Sequence, residues 1–471
     1  MKILLIITNA EDDPFKKQYP FTPLIFPILK SCAPEHEYSL IDMMYEDLSS
    51  LNYDGEYDLI ALSFRVSATD MAYKIADEFR RRNKKVVMGG PQVSGAPLKA
   101  KEHADSVVIG EAEFLWPVLL EDFRNGNLKD FYASSPAPLS RLEGYSVYSL
   151  PQLPDISELP EPDRTGMKNK YTFDVLFAAR GCPVNCSFCA VGNLFGTKMR
   201  FRNIPLVIEE IKHLGKKFFL LDDNVLGRND SYDYYLNLYK ELYSVPEKRF
   251  WTGQANLNAA ANPKGQEVIK FASLSGLTYA AVGFETINKS DMQNMSTTPK
   301  MGVDGSDNYM EQISNNICFI QEHGIAISAW FTIGLKHDTV ESINDAITFC
   351  ITHNIFPVLT PIQALEGTRF YDEMKAGNHI LDNKTNVSNV NISNLKNIDK
   401  IKLLESNLKR AYTYGNLIRN SWFYFKKNRK LKRSSYETIY RTIFIIATQL
   451  KMKKFIKKDL KRFKMRMTNE I

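Results

Sequence analysis

Hydrophobic positions change period repeatedly along this chain, and the changes mark its elements. Lys2–Thr8, Tyr38–Ile41, Asp58–Phe64, Lys85–Met88 and Ser106–Ile109 are short runs rich in Ile, Val and Leu, as in strands buried on both faces. Between them, stretches such as Thr69–Arg82 and Glu113–Phe123 place apolar residues three and four apart, the spacing of a helix with one buried side. This alternation predicts a parallel sheet covered on both faces, a doubly wound, Rossmann-like α/β domain over residues 1–130. Ligands of such sheets bind beyond the carboxyl ends of the strands, where the turns Gly89-Gly90-Pro91 and Gly110-Glu111-Ala112-Glu113 fall.

Residues 131–170 lose the rhythm and carry prolines at 136, 138, 151, 154, 160 and 162, which reads as a linker. A second alternation begins at Tyr171. Thr172–Ala178, Lys217–Leu221, Arg249–Gln254, Thr278–Phe284, Ile325–Ile333 and Phe356–Pro361 predict six strands. Helical stretches separate them, among them Ile204–Leu214, Ser231–Tyr243 and Val340–Asn354. Six such units predict a partly closed (β/α)6 barrel over 171–375, with functional groups at the strand ends. Residues 376–471 read as a basic helical C-terminal region.

The net charge of +6 conceals an asymmetry. From residue 409 onward there are 19 Lys and Arg against Glu437, Asp459 and Glu470, so the rest of the chain is net acidic. The cations lie beside Trp422, Phe423, Tyr424, Phe425 and the apolar Ile443–Ile446, the makeup of an interfacial element drawn to an anionic membrane surface. A solvated helical face is the plainer alternative; nucleic acid fits the charge but not the apolar interleaving. No apolar run approaches the roughly 20 residues of a membrane span. The opening Met1–Thr8 is too short for a secretion signal and is followed by Glu11, Asp12 and Asp13. The expected location is cytoplasmic, peripheral to the inner face of the membrane, where clustered cysteines bind metal more often than they form disulfides.

Three of the six cysteines, Cys182, Cys186 and Cys189, stand as CxxxCxxC directly after a predicted strand. A structural zinc site closes with four ligands, and no second CxxC or HxxxH pair follows. Cys318 and Cys350 fall within predicted helices. Three thiolates in one loop suit an iron–sulfur cubane with one iron left open; buried structural cysteines are the bland alternative.

The segment Arg180-Gly-Cys-Pro-Val-Asn-Cys-Ser-Phe-Cys189 resembles the radical S-adenosylmethionine (SAM) superfamily. That resemblance implies a 4Fe–4S cluster on Cys182, Cys186 and Cys189 whose open iron chelates SAM. An electron from an external flavodoxin- or ferredoxin-type reductant then cleaves SAM to a 5′-deoxyadenosyl radical. It further implies SAM contacts from Phe188 and from the strand ends Phe219–Asn224, Trp251–Gln254 and Gly283–Thr286, where Asp223, Asn224, Gln254 and Glu285 are the candidates. Each of these has a plain alternative as a loop or helix cap. No side chain is assigned a catalytic role beyond the cofactors, which do the hard chemistry while the protein orients them. The seven histidines form no obvious catalytic pair.

A doubly wound domain directly before such a barrel resembles the cobalamin-binding radical SAM subfamily, and the two parts cover roughly residues 1–375. By that resemblance cobalamin lies against Ser63, Ser67, Thr69, Gly89, Gly90, Gly110 and Glu111, small turn residues that let backbone approach a flat ligand. The DxHxxG motif of other cobalamin domains is absent, and residues 1–35 hold no histidine. The corrinoid is then expected base-off, without a protein ligand to cobalt. The implied activity is a cobalamin-dependent radical SAM C-methyltransferase acting through a 5′-deoxyadenosyl radical and methylcobalamin. Its substrate would be a hydrophobic small molecule of lipid, isoprenoid or tetrapyrrole type. The alternative is a radical SAM enzyme of another class, an oxidative cyclase, a ring-rearranging enzyme or a methylthiotransferase, with or without cobalamin. A methylthiotransferase needs a second cluster, for which the first domain offers only Cys32.

Overall fold

The computed structural model describes residues 1–10, 21–135, 140, 142–167, 171–380, 388–390 and 392–468. The acidic Glu11–Asp13 and the prolines 136 and 138 lie outside the described residues. Two compact units result, and they do not follow chain order. The first comprises Met1–Val175, Arg180–Leu206 and Gln363–Asn389; the second comprises Leu176–Ala179, Val207–Ile362 and Val390–Ile471.

The first unit is built on seven parallel strands: β1 (Lys2–Ile7), β2 (Glu37–Asp42), β3 (Leu59–Ser63), β4 (Lys85–Gly89), β5 (Ser106–Ile109), β6 (Phe131–Ala133) and β7 (Val147–Ser149). Their order is β2-β1-β3-β4-β5-β6-β7, so the winding reverses between β1 and β3. Alternate side chains leave the sheet on opposite faces, and both faces are buried. Leu4, Ile6, Ile60, Leu62, Val86 and Met88 enter one core with Ala72, Ile75 and Phe79 of the helix Thr69–Arg81. Ile3, Leu5, Ala61, Val87 and Val108 enter the other with Phe26, Leu29, Trp116 and Leu119. This double burial is why the strands read as continuous apolar runs. The sequence differs from the structure in two places. β6 and β7 come from the stretch that reads as a linker, because three-residue strands are too short to show a period. The helix expected from Glu113 begins at Trp116, with proline in its first turn.

The six expected strands form one sheet, of which the last five, and Leu176 of the first, belong to the second unit. β8 (Asp174–Leu176) is followed by β9 (Ala179–Arg180) and β10 (Arg200–Phe201), short strands on either side of the cysteine loop. Then come β11 (Lys217–Leu220), β12 (Phe250–Ala255), β13 (Leu277–Glu285), β14 (Ala326–Ile333) and β15 (Phe356–Pro361). The six-stranded order is β15-β14-β13-β12-β11-β8, each strand beside its predecessor, as in a (β/α)6 partial barrel. β11 to β15 pair in parallel.

The C-terminal helices belong to this unit. Within the helix Ser435–Thr468, Arg441 is fully buried, donating to the carbonyls of Leu277 and Ser273, each at 2.7 Å, and to Glu437 at 3.0 Å. Burial presses its guanidinium down to about 9, against the pull of Glu437. The helix is thus bolted to the strand and helix beneath it. Among the described residues, no helix is long and apolar enough to cross a membrane.

Candidate functional site

At the carboxyl ends of β3, β4 and β5 the backbone turns through Ser63, Gly89-Gly90 and Gly110-Glu111. Beneath these turns lies a cavity of about 210 Å³. Leu5, Ala61, Val87 and Val108 floor it from the sheet, and Phe26 and Trp116 wall it from the helices. Leu194 and Phe195 close it from above; they belong to the short helix Val191–Phe195 that follows the cysteines. Gly110 has φ +81°, and a Cβ there would collide with Ser134 Oγ, so the turn requires glycine. A space this size falls below the roughly 300–1,000 Å³ of pockets that enclose a whole drug-sized ligand. Its apolar floor and walls suit a flat aromatic group. Of the residues expected here, Ser63, Gly89, Gly90, Gly110 and Glu111 border the cavity. Ser67 and Thr69 do not: Ser67 sits in a helical turn, and buried Thr69 donates its hydroxyl to Val66 at 2.8 Å.

Glu111 does not offer its carboxylate to a ligand. The side chain is fully buried, with one oxygen accepting from Arg180 and Arg200, each at 3.0 Å, and the other bound by Arg200. Arg180 also binds Glu113 at 2.5 Å. Burial opposes the charge on Glu113, yet the guanidinium of Arg180 beside it holds the carboxyl below its ordinary range. This quartet is not legible in the sequence, because its ion pairs join residues 67 to 89 positions apart.

Arg180 leads straight into the cysteine loop. Gly181 has φ +96°, where a side chain would strike the Lys198 carbonyl. Cys182 N–H donates to Gly196 and Cys189 N–H to Cys186, each at 3.2 Å. Cys186 is buried, and Cys182, Phe188 and Cys189 are half-buried. The segment following β15 fastens the loop: Phe370 N–H donates to Ser187 at 3.0 Å and Arg369 to Asn185 at 2.8 Å. Glu366, in the same segment, pairs with Lys99 at 2.5 Å. Among the described residues, no three histidine, cysteine or carboxylate side chains converge on a single ion. The thiolates of a cubane each take a different iron and so stand further apart than the ligands of one ion. Three thiol donors in one loop, with no second CxxC or HxxxH pair to close a four-coordinate site, fit an iron–sulfur cluster with one open iron better than zinc.

In the second unit the strand ends differ in how fully they are occupied. After β11, buried Asp222 accepts from Ala178 N–H at 2.8 Å and Tyr235 hydroxyl at 2.9 Å. Burial, with Asp222 alongside, raises the Tyr235 phenol well above its usual range. Asn224 is buried and engaged locally: its amide donates to Gly227 at 2.8 Å and its oxygen accepts from Asn256 at 3.1 Å. Asp223 is half-buried. Gln254, at the end of β12, is exposed, and its side chain has no partner among the described residues. Glu285, at the end of β13, has φ +60°, a strained conformation for a non-glycine residue, beside a register shift. Its carboxylate accepts from Lys300 at 2.7 Å and Thr332 hydroxyl at 3.0 Å. A carboxylate takes about four donors, so capacity remains. Lys300 and Thr332 were not legible in sequence. Neither was Asp338 in the turn after β14, where burial pushes the carboxyl up to about 6 although two backbone N–H groups favour its charge.

No family model matches the chain. It is 28% identical over 380 residues, 78% of each chain, to bacteriochlorophyllide d C-8(2)-methyltransferase of Chlorobaculum tepidum. It is likewise 28% identical over 353 residues, 72% of this chain and 70% of the relative, to the C-12(1)-methyltransferase of that organism. Among solved structures, the cobalamin-dependent radical SAM enzyme OxsB with aqua-cobalamin bound aligns with a TM-score of 0.67, covering 93% of this chain and 71% of OxsB at 14% identity. The radical SAM methyltransferase TsrM of Kitasatospora setae, with cobalamin and a 4Fe–4S cluster bound, gives 0.61 over 80% and 78% at 16% identity. The fold is that of the cobalamin-dependent radical SAM enzymes. The chain is thus similar in sequence to named methyltransferases and in fold to cobalamin-dependent radical SAM enzymes.

Proposed function

We propose that the protein is a cobalamin-dependent radical SAM C-methyltransferase acting on a hydrophobic small molecule, with a tetrapyrrole as the leading class. The observation that carries this reading is that the helix continuing the cysteine loop walls the apolar cavity at the edge of the first sheet. The loop for a cluster and the cavity for a flat cofactor group thus belong to one unit. Similarity to two bacteriochlorophyllide methyltransferases supports the substrate class.

In this reading Cys182, Cys186 and Cys189 hold the cluster, and Gln254 and Glu285 have polar capacity left for SAM. Phe188 and Asp223 stay candidates by resemblance. Leu5, Phe26, Val87 and Trp116 exclude water from a corrinoid base, while the turns at Gly90 and Gly110 let it approach the backbone. When bound, these cofactors supply hydrogen abstraction from an unreactive carbon and a methyl group to put in its place. An external one-electron reductant of flavodoxin or ferredoxin type completes the system. Anaerobic reconstitution of the full chain should give about four irons, lost in Cys186→Ala. A Cys186→Ala protein that keeps a normal cluster overturns the site.

The third partner is an anionic bilayer, met by the cytoplasmic enzyme at its C-terminal helices. Tyr436, Ile439, Ile443, Ile446 and Leu450 are exposed at spacings of three and four, and the same helical stripe continues in Lys454, Lys457 and Lys461. The helix Tyr414–Lys430 likewise exposes Tyr414, Ile418 and Trp422, followed by Lys426, Arg429 and Lys430. Lys453 stands 4.0 Å over the Tyr414 ring and joins the two surfaces. Each cation near an anionic surface contributes about 1 kcal/mol. Sedimentation with phosphatidylserine vesicles should be lost in a Trp422→Glu/Ile443→Glu variant. Equal binding to neutral vesicles, or none by the native chain, removes this partner. Truncation is not a suitable test, because buried Arg441 ties the helix to its unit.

A further inference from the structure

Four charged side chains are buried at the joint between the cavity turn and the cysteine loop, and the proposed reaction gives none of them a chemical task. Glu111 and Glu113 stand on the turn after β5; Arg180 stands two residues before Cys182, and Arg200 follows the loop on β10. Side-chain exposures are 0% and 3% for the glutamates, 10% and 12% for the arginines. Burying two ion pairs is a poor way to gain stability, since apolar residues of similar volume usually do as well or better. What such a lattice does supply is fixed geometry, because guanidinium and carboxylate meet as planar forks.

The lattice also grips the cavity. The Arg180 guanidinium lies 5.2 Å over the Phe195 ring, and Arg200 donates to the Phe195 carbonyl at 3.0 Å and to Pro154 at 2.8 Å. On the other side, Gly110 N–H is held by Ser94 Oγ at 2.9 Å and Glu111 N–H by Ser134 Oγ at 3.1 Å. A displacement of the cysteine loop must therefore move Phe195, the turn, or both.

We propose that Glu111, Glu113, Arg180 and Arg200 are positioning residues that couple the two cofactor sites, so that ordering the cysteine loop by its cluster preorganises the cavity turn for the corrinoid. The coupling rests on the proposed function and is reciprocal, because it is a free energy shared by two binding events.

The test compares aqua-cobalamin affinity, read from its absorbance, in iron-free and cluster-loaded full-length protein. Coupling of this kind predicts that the loaded native protein binds more tightly by roughly 5- to 150-fold. Glu113→Gln, which keeps size but removes the charge facing Arg180, should bring that ratio close to one while iron content stays at the native value. Arg180→Lys keeps charge but loses the fork and should give an intermediate ratio, and Glu113→Asp should restore part of it. If Glu113→Gln does not fold, Arg180→Lys decides: a ratio equal to the native one overturns the proposal. A native protein that binds iron and corrinoid with no mutual effect also overturns it, leaving the enzyme reading intact. A native chain that binds neither overturns both.

Discussion

Both units end their parallel strands in polar turns, but the two edges are finished differently. In the first, the charged groups Glu111, Glu113, Arg180 and Arg200 are paired with one another, and what remains for a ligand is apolar floor and glycine backbone. In the second, the Gln254 side chain has no partner among the described residues, and Glu285 sits strained with one lysine and one hydroxyl on its carboxylate. A large flat ligand is gripped by shape and contact, so its site can be built first and locked. A small, charged ligand such as SAM needs donors and acceptors that are not already satisfied.

The largest effect should come from breaking the pair at the open edge. Lys300→Met leaves the Glu285 carboxylate, 12% exposed, without its counter-charge and should lower stability by about 3–5 kcal/mol, measured by urea unfolding. Adding Glu285→Gln to that variant should recover most of the loss. If Lys300→Met alone is neutral, the pair does not organise this edge. A smaller effect, and one of another kind, is expected at Gln254. Gln254→Ala should leave stability within about 0.5 kcal/mol, as for an exposed residue without partners. Its SAM affinity should fall by about fivefold, one hydrogen bond of about 1 kcal/mol. Unchanged SAM binding would make Gln254 a bystander and narrow the open edge to Glu285.

What the sequence disclosed follows the range of the interactions. The cysteine loop is local, so its spacing was readable, and the six barrel strands were placed to within about two residues because their apolar runs are long. β6 and β7 escaped, since pairing with neighbours fixes them rather than any pattern of their own. The arginine–glutamate lattice escaped because its charges look like surface residues until the fold brings them together. Asn224 shows what the sequence does not disclose: a polar residue at a strand end invites a ligand role, and its amide also binds Leu226, Gly227 and Asn256. The basic tail reads as an interfacial element or a solvated helical face, and the sequence does not disclose that Arg441, Phe444 and Ile445 are buried on its other side.

The central claim is methyl transfer that depends on a corrinoid, and product analysis tests it most directly. Cluster-loaded protein would be incubated anaerobically with SAM and a reductant, with and without cobalamin, and both cleavage products of SAM quantified. Corrinoid-dependent methyl transfer predicts S-adenosylhomocysteine only when cobalamin is present, and 5′-deoxyadenosine in the native protein but not in Cys186→Ala. Release of 5′-deoxyadenosine with cobalamin bound and no S-adenosylhomocysteine would contradict it, and would place the enzyme in another radical SAM reaction class.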